Sequence, residues 1–106
     1  MNEQKIDRSM KTRNEYVRLL LSLESVLKQR FGVRSLRLFG SVARNEQTEQ
    51  SDLDVCVEME PKPFLRLQMK EFLEKRMECP VDVVRQHKNM NPFLLNQINQ
   101  DGIRIF

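Results

Sequence analysis

Short apolar segments that alternate with amphipathic stretches constrain the fold of this chain more than any other feature. The segments Val33–Phe39, Asp52–Met59 and Val81–Arg85 carry the apolar and β-branched residues that are typical of strands. Between them, apolar residues recur every three or four positions, as they do in helices. The predicted order is helix, strand, short helix, strand, helix, strand, helix, strand. This order indicates an α/β fold in which helices cover a small mixed β-sheet.

Capping residues mark where the helices begin and end. Thr12 and Glu15 have the spacing of a capping box, and Gly32 follows the last apolar residue of the same helix. Residues 63–78 predict a second long helix, and residues 91–102 predict a last one that begins with Asn-Pro and ends at Gly. The apolar face of the first helix is predicted to comprise Tyr16, Leu20, Leu23, Leu27 and Phe31.

Length and composition limit the classes of protein that this chain can belong to. Its 106 residues suit one domain, which we place at residues 12–106 after a polar N-terminal tail, residues 1–11. The net charge of +3 is too small and too dispersed to indicate direct nucleic-acid binding. No apolar run predicts a membrane span or an export signal, so we expect a cytoplasmic protein with two reduced cysteines that serve in packing.

Three acidic residues occupy positions where carboxylates are costly unless a cation accompanies them. Asp52 and Asp54 lie two positions apart on a predicted strand, so their side chains share one face, and Asp82 lies on the next strand. If these strands are neighbours, the three carboxylates converge and repel one another. Oxygen ligands suit Mg²⁺ or Mn²⁺, and Mg²⁺ in proteins usually also binds substrate phosphates.

A Gly-Ser pair at the end of the preceding strand fits a phosphate-bearing ligand. Gly40 allows the backbone to approach a phosphate closely, and Ser41 offers a hydroxyl donor. The amides of the short helix predicted to follow favour an anion. Each pattern alone is weak, because Asp-x-Asp and Gly-Ser pairs are common in loops and turns, and Asp82 alone could be an ion-paired strand residue. Together they predict a site for metal and triphosphate.

The pattern Gly-Ser, ten residues, then Asp-x-Asp, with a third Asp on a following strand, resembles the nucleotidyltransferase superfamily related to DNA polymerase β. The segments "VRSLRLFGSVAR", "SDLDVCV", "VDVV" and "GIRIF" are similar to those of the minimal nucleotidyltransferases (MNT), over about residues 12–106. The resemblance implies the polymerase β-like nucleotidyltransferase fold. One departure is Asn45, where the family usually has Gly; Asn tolerates a left-handed backbone, so we expect function to persist.

The resemblance also implies an activity. In the family, residues matching Asp52 and Asp54 bind two divalent metal ions, the residue matching Asp82 helps to hold the catalytic metal and activates a hydroxyl, and those matching Gly40 and Ser41 bind the β- and γ-phosphates of ATP. MNT proteins are typically encoded beside a HEPN toxin, which they modify with AMP on a tyrosine. The expected protein is thus a metal-dependent, ATP-binding antitoxin enzyme with a HEPN partner. The resemblance is compatible with either a homo-oligomer or a hetero-oligomer.

Two other functions remain open from the sequence. The chain could be an antitoxin that acts by binding alone, although its complete set of three acids argues against this. It could also transfer nucleotides to a small molecule, as antibiotic-modifying enzymes do. Among other candidates, Arg44 could contact a phosphate, but an ion pair that braces the short helix is the favoured interpretation. His87 is predicted to lie on the surface without a role.

Overall fold

The computed structural model of the protein describes residues 11–106; the predicted tail, apart from Lys11, lies outside the described residues. Five helices and four strands are formed in this part of the chain. The helices are α1 (Arg13–Ser22), α2 (Glu24–Phe31), α3 (Gly40–Ala43), α4 (Pro63–Met77) and α5 (Pro92–Asp101). The strands are β1 (Ser35–Phe39), β2 (Leu53–Glu58), β3 (Val81–Arg85) and β4 (Ile103–Arg104). The predicted α/β class and the predicted order of elements are confirmed. None of the helices in residues 11–106 is long and apolar enough to cross a membrane.

The four strands form one mixed sheet in the order β3-β2-β1-β4. Strand β1 pairs antiparallel with both β2 and β4, whereas β2 and β3 pair in parallel. Parallel neighbours need a crossover connection, and α4 provides it. The prediction that the second and third strands lie side by side is therefore confirmed, and it is this pairing that brings the acidic strand positions together.

Helices cover both faces of the sheet. Side chains that alternate along β2 divide between the faces: Leu53, Val55 and Val57 join the main core, which contains buried residues of α1, α2 and α4. On the other face Cys56 belongs to a smaller core that includes Phe39, Met90 and Ile98, the last from α5. The face that carries Asp54 is therefore the one that α5 covers in part.

The predicted first helix is divided into α1 and α2 at Leu23. The hydroxyl of Ser22 donates to the carbonyl of Leu19 at 2.6 Å, and the amide of Leu23 donates to Leu20 instead of to Leu19. A side chain that bonds the backbone in this way competes with the helical hydrogen bond and bends the helix. The five residues predicted for the apolar face are nonetheless all buried, so the interruption leaves the packing face intact.

Strand ends differ from the prediction by one or two residues. Strand β1 begins at Ser35, and β2 begins at Leu53, so Asp52 precedes the strand on which it was predicted. The last regular strand spans Ile103–Arg104, although the amide of Ile105 still donates to Leu36 at 2.9 Å. Such differences are ordinary, because pairing at a strand end depends on the neighbouring strand as well as on local sequence.

Candidate nucleotide-binding site

Gly40 lies at the junction of β1 and α3, directly beside Asp54. Its neighbour Phe39 is the register partner of Asp54 across the β1–β2 pair, and Gly40 itself has φ +78°. A Cβ at this position would overlap Oδ2 of Asp54 and would lie 3.0 Å from its Cγ. Two constraints therefore demand glycine here: a left-handed backbone and a carboxylate in the space of a side chain.

Asp54 and Asp82 are directly paired across the parallel strands β2 and β3. Asp82 is exposed on β3, which is one of the two edge strands of the sheet, while Asp54 is half-buried. Asp52 is exposed and lies one residue before β2. The fold thus brings two of the three predicted site residues into register and places the third at the entrance of the same strand.

The electrostatics of this corner of the sheet are unfavourable for Asp54. Burial is the main cause that raises its pKa from 3.8 to about 6, and the charges of Asp82 and Asp52 raise the pKa further, while Arg44 lowers it. Within residues 11–106, none of the three carboxylates forms an ion pair. Asp54 therefore has negative charge nearby and no direct partner to compensate it.

The three acids fit a divalent cation by their chemistry. No three acidic, histidine or cysteine side chains in residues 11–106 already surround a common metal position. The donors available at the corner are all carboxylate oxygens, which hard ions such as Mg²⁺ prefer. A cation between Asp54 and Asp82 would also relieve the repulsion that raises the pKa of Asp54. The assignment of Asp52, Asp54 and Asp82 as metal ligands remains a prediction.

A cavity of about 350 Å³ joins the Gly-Ser turn to Asp54. The residues that line it come from β1, α3, β2 and α5: Phe39, Gly40, Ser41, Arg44, Asp54, Gln97 and Asp101. Gly40 and Ser41, which were predicted to bind phosphates, thus share one cavity with the half-buried acid of the Asp-x-Asp pair. The arrangement provides a hydroxyl, a close backbone approach and a carboxylate around one ligand-sized space.

Arg44 confirms the ion-pair interpretation that the sequence favoured. Its Nε donates to Oε1 of Glu46 and its Nη1 donates to Oδ2 of Asp101, each at 2.9 Å. The second contact joins the short helix α3 to the end of α5. Asn45, which stands where the family usually has Gly, adopts φ +62°, so it does accept the left-handed backbone.

The two residues that α5 contributes to the cavity were not predicted from the sequence. Gln97 and Asp101 lie one helical turn apart on α5 and so share a face of that helix. A polar pair at that spacing is common on exposed helices, so it gave no indication of a site. His87, as predicted, is exposed, and its ring nitrogen accepts only the amide of Asn89, two residues away.

Comparisons with known proteins agree with this geometry. The family model described as "Nucleotidyltransferase domain" matches residues 20–105. The protein adenylyltransferase MntA of Thermococcus cleftensis is 37% identical over 78 residues, which make up 72% of this chain and 79% of that protein. A solved structure assigned provisionally as a minimal nucleotidyltransferase is 32% identical, with a TM-score of 0.71 over 88% of this chain and 95% of that one.

The chain is also similar, at lower sequence identity, to one chain of a solved toxin–antitoxin complex. A chain from the Shewanella oneidensis assembly of a tri-AMPylated HEPN toxin with its MNT antitoxin is 18% identical, with a TM-score of 0.58, over 82% of this chain and 70% of that one. At this identity the likeness concerns the fold alone. Since the family match runs from within α1 to the residues after β4 and includes the whole cavity, the chain belongs to the nucleotidyltransferase domain family.

Proposed function

We propose that this nucleotidyltransferase is a metal-dependent protein adenylyltransferase that transfers AMP from ATP to a tyrosine hydroxyl of a HEPN toxin and so acts as a cytoplasmic antitoxin. The observation that carries the proposal is the contact between the two motifs: Gly40 and Ser41 share a cavity with Asp54, which is in register with Asp82. The named relatives support the choice of a protein acceptor and of AMP.

The Gly-Ser turn is the phosphate end of the proposed site. Because Gly40 has no side chain, the Asp54 carboxylate lies directly against the turn, so that phosphates bound there would lie next to this acid. Ser41 lines the cavity, and its hydroxyl has no hydrogen-bond partner within residues 11–106, so it is available to donate to a phosphate oxygen. Ser41 thus orients the triphosphate, with the α-phosphate toward the acids.

The acids form the reacting end. Asp52, Asp54 and Asp82 would hold two divalent cations, Mg²⁺ or Mn²⁺, which when bound stabilise the charge on the entering and leaving oxygens. Asp82, exposed on the edge strand, is accessible to a hydroxyl of another protein and accepts its proton. The acceptor oxygen forms a bond to the α-phosphorus, the bond between that phosphorus and the bridging oxygen breaks, and pyrophosphate leaves.

The protein acceptor distinguishes this proposal from nucleotide transfer to a small molecule. An acceptor tyrosine must reach Asp82, and the position of β3 at the edge of the sheet leaves that side open within the described residues. The likeness in fold to an antitoxin whose toxin partner carries AMP supports a HEPN protein in this role. Such an acceptor would add its own residues to the side of the site that β3 leaves uncovered.

The test is direct transfer of AMP. The protein is incubated with the product of its neighbouring gene, with Mg²⁺ and with each of the four nucleoside triphosphates in turn, and the intact mass of that product is measured. We expect a gain of one or more AMP units with ATP, loss of the gain in Asp82→Asn, and no loss in Glu71→Gln, an exposed acid on α4. A neutralised toxin of unchanged mass would show that the antitoxin acts by binding alone.

A further inference from the structure

Helix α5 exposes a large aromatic side chain that its packing does not require. Phe93 is 74% exposed, whereas Ile98 is fully buried. Leu94 and Leu95 also pack, partly buried, against the small core. The apolar contacts that hold α5 to the sheet are therefore made by other residues, and the phenyl ring of Phe93 is free to contact a ligand.

Phe93 continues the row of residues by which α5 borders the cavity. Gln97 and Asp101 line the cavity, and Phe93 lies one further turn toward the start of the helix, about 6 Å along the axis from Gln97. Residues four apart share a helix face. The amide of Gln97 makes no hydrogen bond to any other residue in the described range 11–106, so its donors and its acceptor are available to a ligand.

We propose that Phe93 and Gln97 form the subsite for the adenine base of the nucleotide. This inference rests on the proposed function, since it extends the cavity whose other end, at Ser41, is proposed to bind the phosphates. Phe93 stacks on the face of the base, and Gln97 hydrogen-bonds its edge, where adenine offers an amino donor beside a ring-nitrogen acceptor, a pair that a glutamine amide matches.

The geometry favours a base over a protein segment as the ligand of this row. A triphosphate at Ser41 fixes one end of the nucleotide, and the sugar and base must then extend beyond the α-phosphate along a neighbouring surface. Of the elements that line the cavity, α5 alone supplies an amide side chain and an exposed aromatic ring within one turn of each other.

The experiment compares the binding of ATP, which carries the adenine base, with the binding of tripolyphosphate, which has no base. Binding of MgATP and of Mg²⁺-tripolyphosphate is measured by calorimetry for the wild type, Phe93→Ala, Phe93→Tyr and Gln97→Ala. The matched control is Phe64→Ala, which removes a phenyl ring that is 85% exposed on α4 and does not line the cavity. Thermal denaturation of each variant verifies that it folds.

We expect Phe93→Ala to weaken ATP binding on the order of 10-fold and to leave tripolyphosphate binding unchanged, because stacking involves only the base. Phe93→Tyr should retain the affinity for ATP, Gln97→Ala should reduce the preference for ATP over GTP, and Phe64→Ala should match the wild type. ATP affinity that is unchanged in Phe93→Ala would overturn the subsite, as would equal weakening of both ligands or a loss confined to transfer onto the partner protein.

The same data separate this inference from the proposed function. A wild type that binds tripolyphosphate and modifies its partner, but whose Phe93→Ala variant binds ATP normally, would overturn the subsite alone. A wild type that binds neither ATP nor tripolyphosphate would overturn both, because the cavity would then not be a nucleotide site.

Discussion

Replacing Gly40 with alanine should separate the strain of the backbone from the position of Asp54. Gly40 has φ +78°, and a Cβ there would overlap Oδ2 of Asp54, with Cγ at 3.0 Å and Cβ at 3.3 Å. The alanine methyl group and the carboxylate cannot both keep their positions, so the Asp54 side chain must turn away. Gly32 provides the matched control, because it has φ +70° and no atom within 4 Å of an added Cβ.

The two substitutions share one cost and differ in another. A left-handed alanine costs roughly 1–2 kcal/mol at either position, so both variants should lose about that much free energy of unfolding. Only Gly40→Ala displaces a carboxylate that is proposed to act at the reacting phosphate. A misplacement of about 1 Å there can lower a rate on the order of 10²-fold. We therefore expect similar stabilities and transfer rates that differ by about two orders of magnitude.

The assay combines urea denaturation with the rate of AMP transfer to the partner. Gly32→Ala should be destabilised and should retain its rate, and Gly40→Ala should be destabilised and nearly inactive. If Gly40→Ala transferred AMP as fast as Gly32→Ala, the contact between the Gly-Ser turn and Asp54 would have no role in catalysis. If Gly32→Ala also lost its rate, strain alone would explain the loss, and the argument from overlap would fail.

Three further substitutions test the remaining groups of the site. Asp82→Asn should remain folded by circular dichroism and bind its partner, yet transfer AMP at least 10²-fold more slowly; full neutralisation of the toxin by this variant would contradict the proposal. Ser41→Ala should raise KM for ATP by roughly 10- to 100-fold without abolishing transfer, since one hydrogen bond to a charged group is lost. In the metal-free folded protein, the pKa of Asp54 is raised to about 6 from its ordinary value of 3.8. The folded state therefore binds more protons than the unfolded state between these values, so folding stability should fall as the pH rises from about 4 through 6. In thermal denaturation, Asp54→Asn should remove this dependence on pH.

Features that depend on local sequence were predictable. The capping box at Thr12 forms, with its hydroxyl accepting the amide of Glu15 at 3.1 Å, and the Asn91 side chain caps α5 as expected. Alternation along β2 predicted correctly that Asp54 points away from the main core. These outcomes follow because a cap or a strand face is decided by residues within a few positions of each other.

Features decided by a competing local bond were harder to predict. The apolar spacing from Tyr16 to Phe31 predicts one continuous helix, and its burial pattern is correct. The interruption at Leu23 depends on which acceptor the Ser22 hydroxyl chooses, and an exposed serine in a helix can equally point to solvent. Periodicity reports which face is buried and does not report such a choice.

The part of the cavity that α5 lines could not be predicted from the sequence. Asp101 lies in the last turn of α5, where the helix dipole disfavours a carboxylate, so its position is understandable only through its ion pair with Arg44, 57 residues away. That pair joins the end of α5 to α3, while Ile98, Leu94 and Leu95 pack the helix on the sheet and so place Gln97 at the cavity. The phosphate end of the site consists of two adjacent residues, Gly40 and Ser41. The proposed base end, by contrast, depends on the tertiary packing of α5 next to the Gly-Ser turn. A change at Arg44 should consequently alter the phosphate end, where Arg44 and Asp101 line the cavity, more than the base end, because the buried Ile98 still holds the helix that carries Gln97.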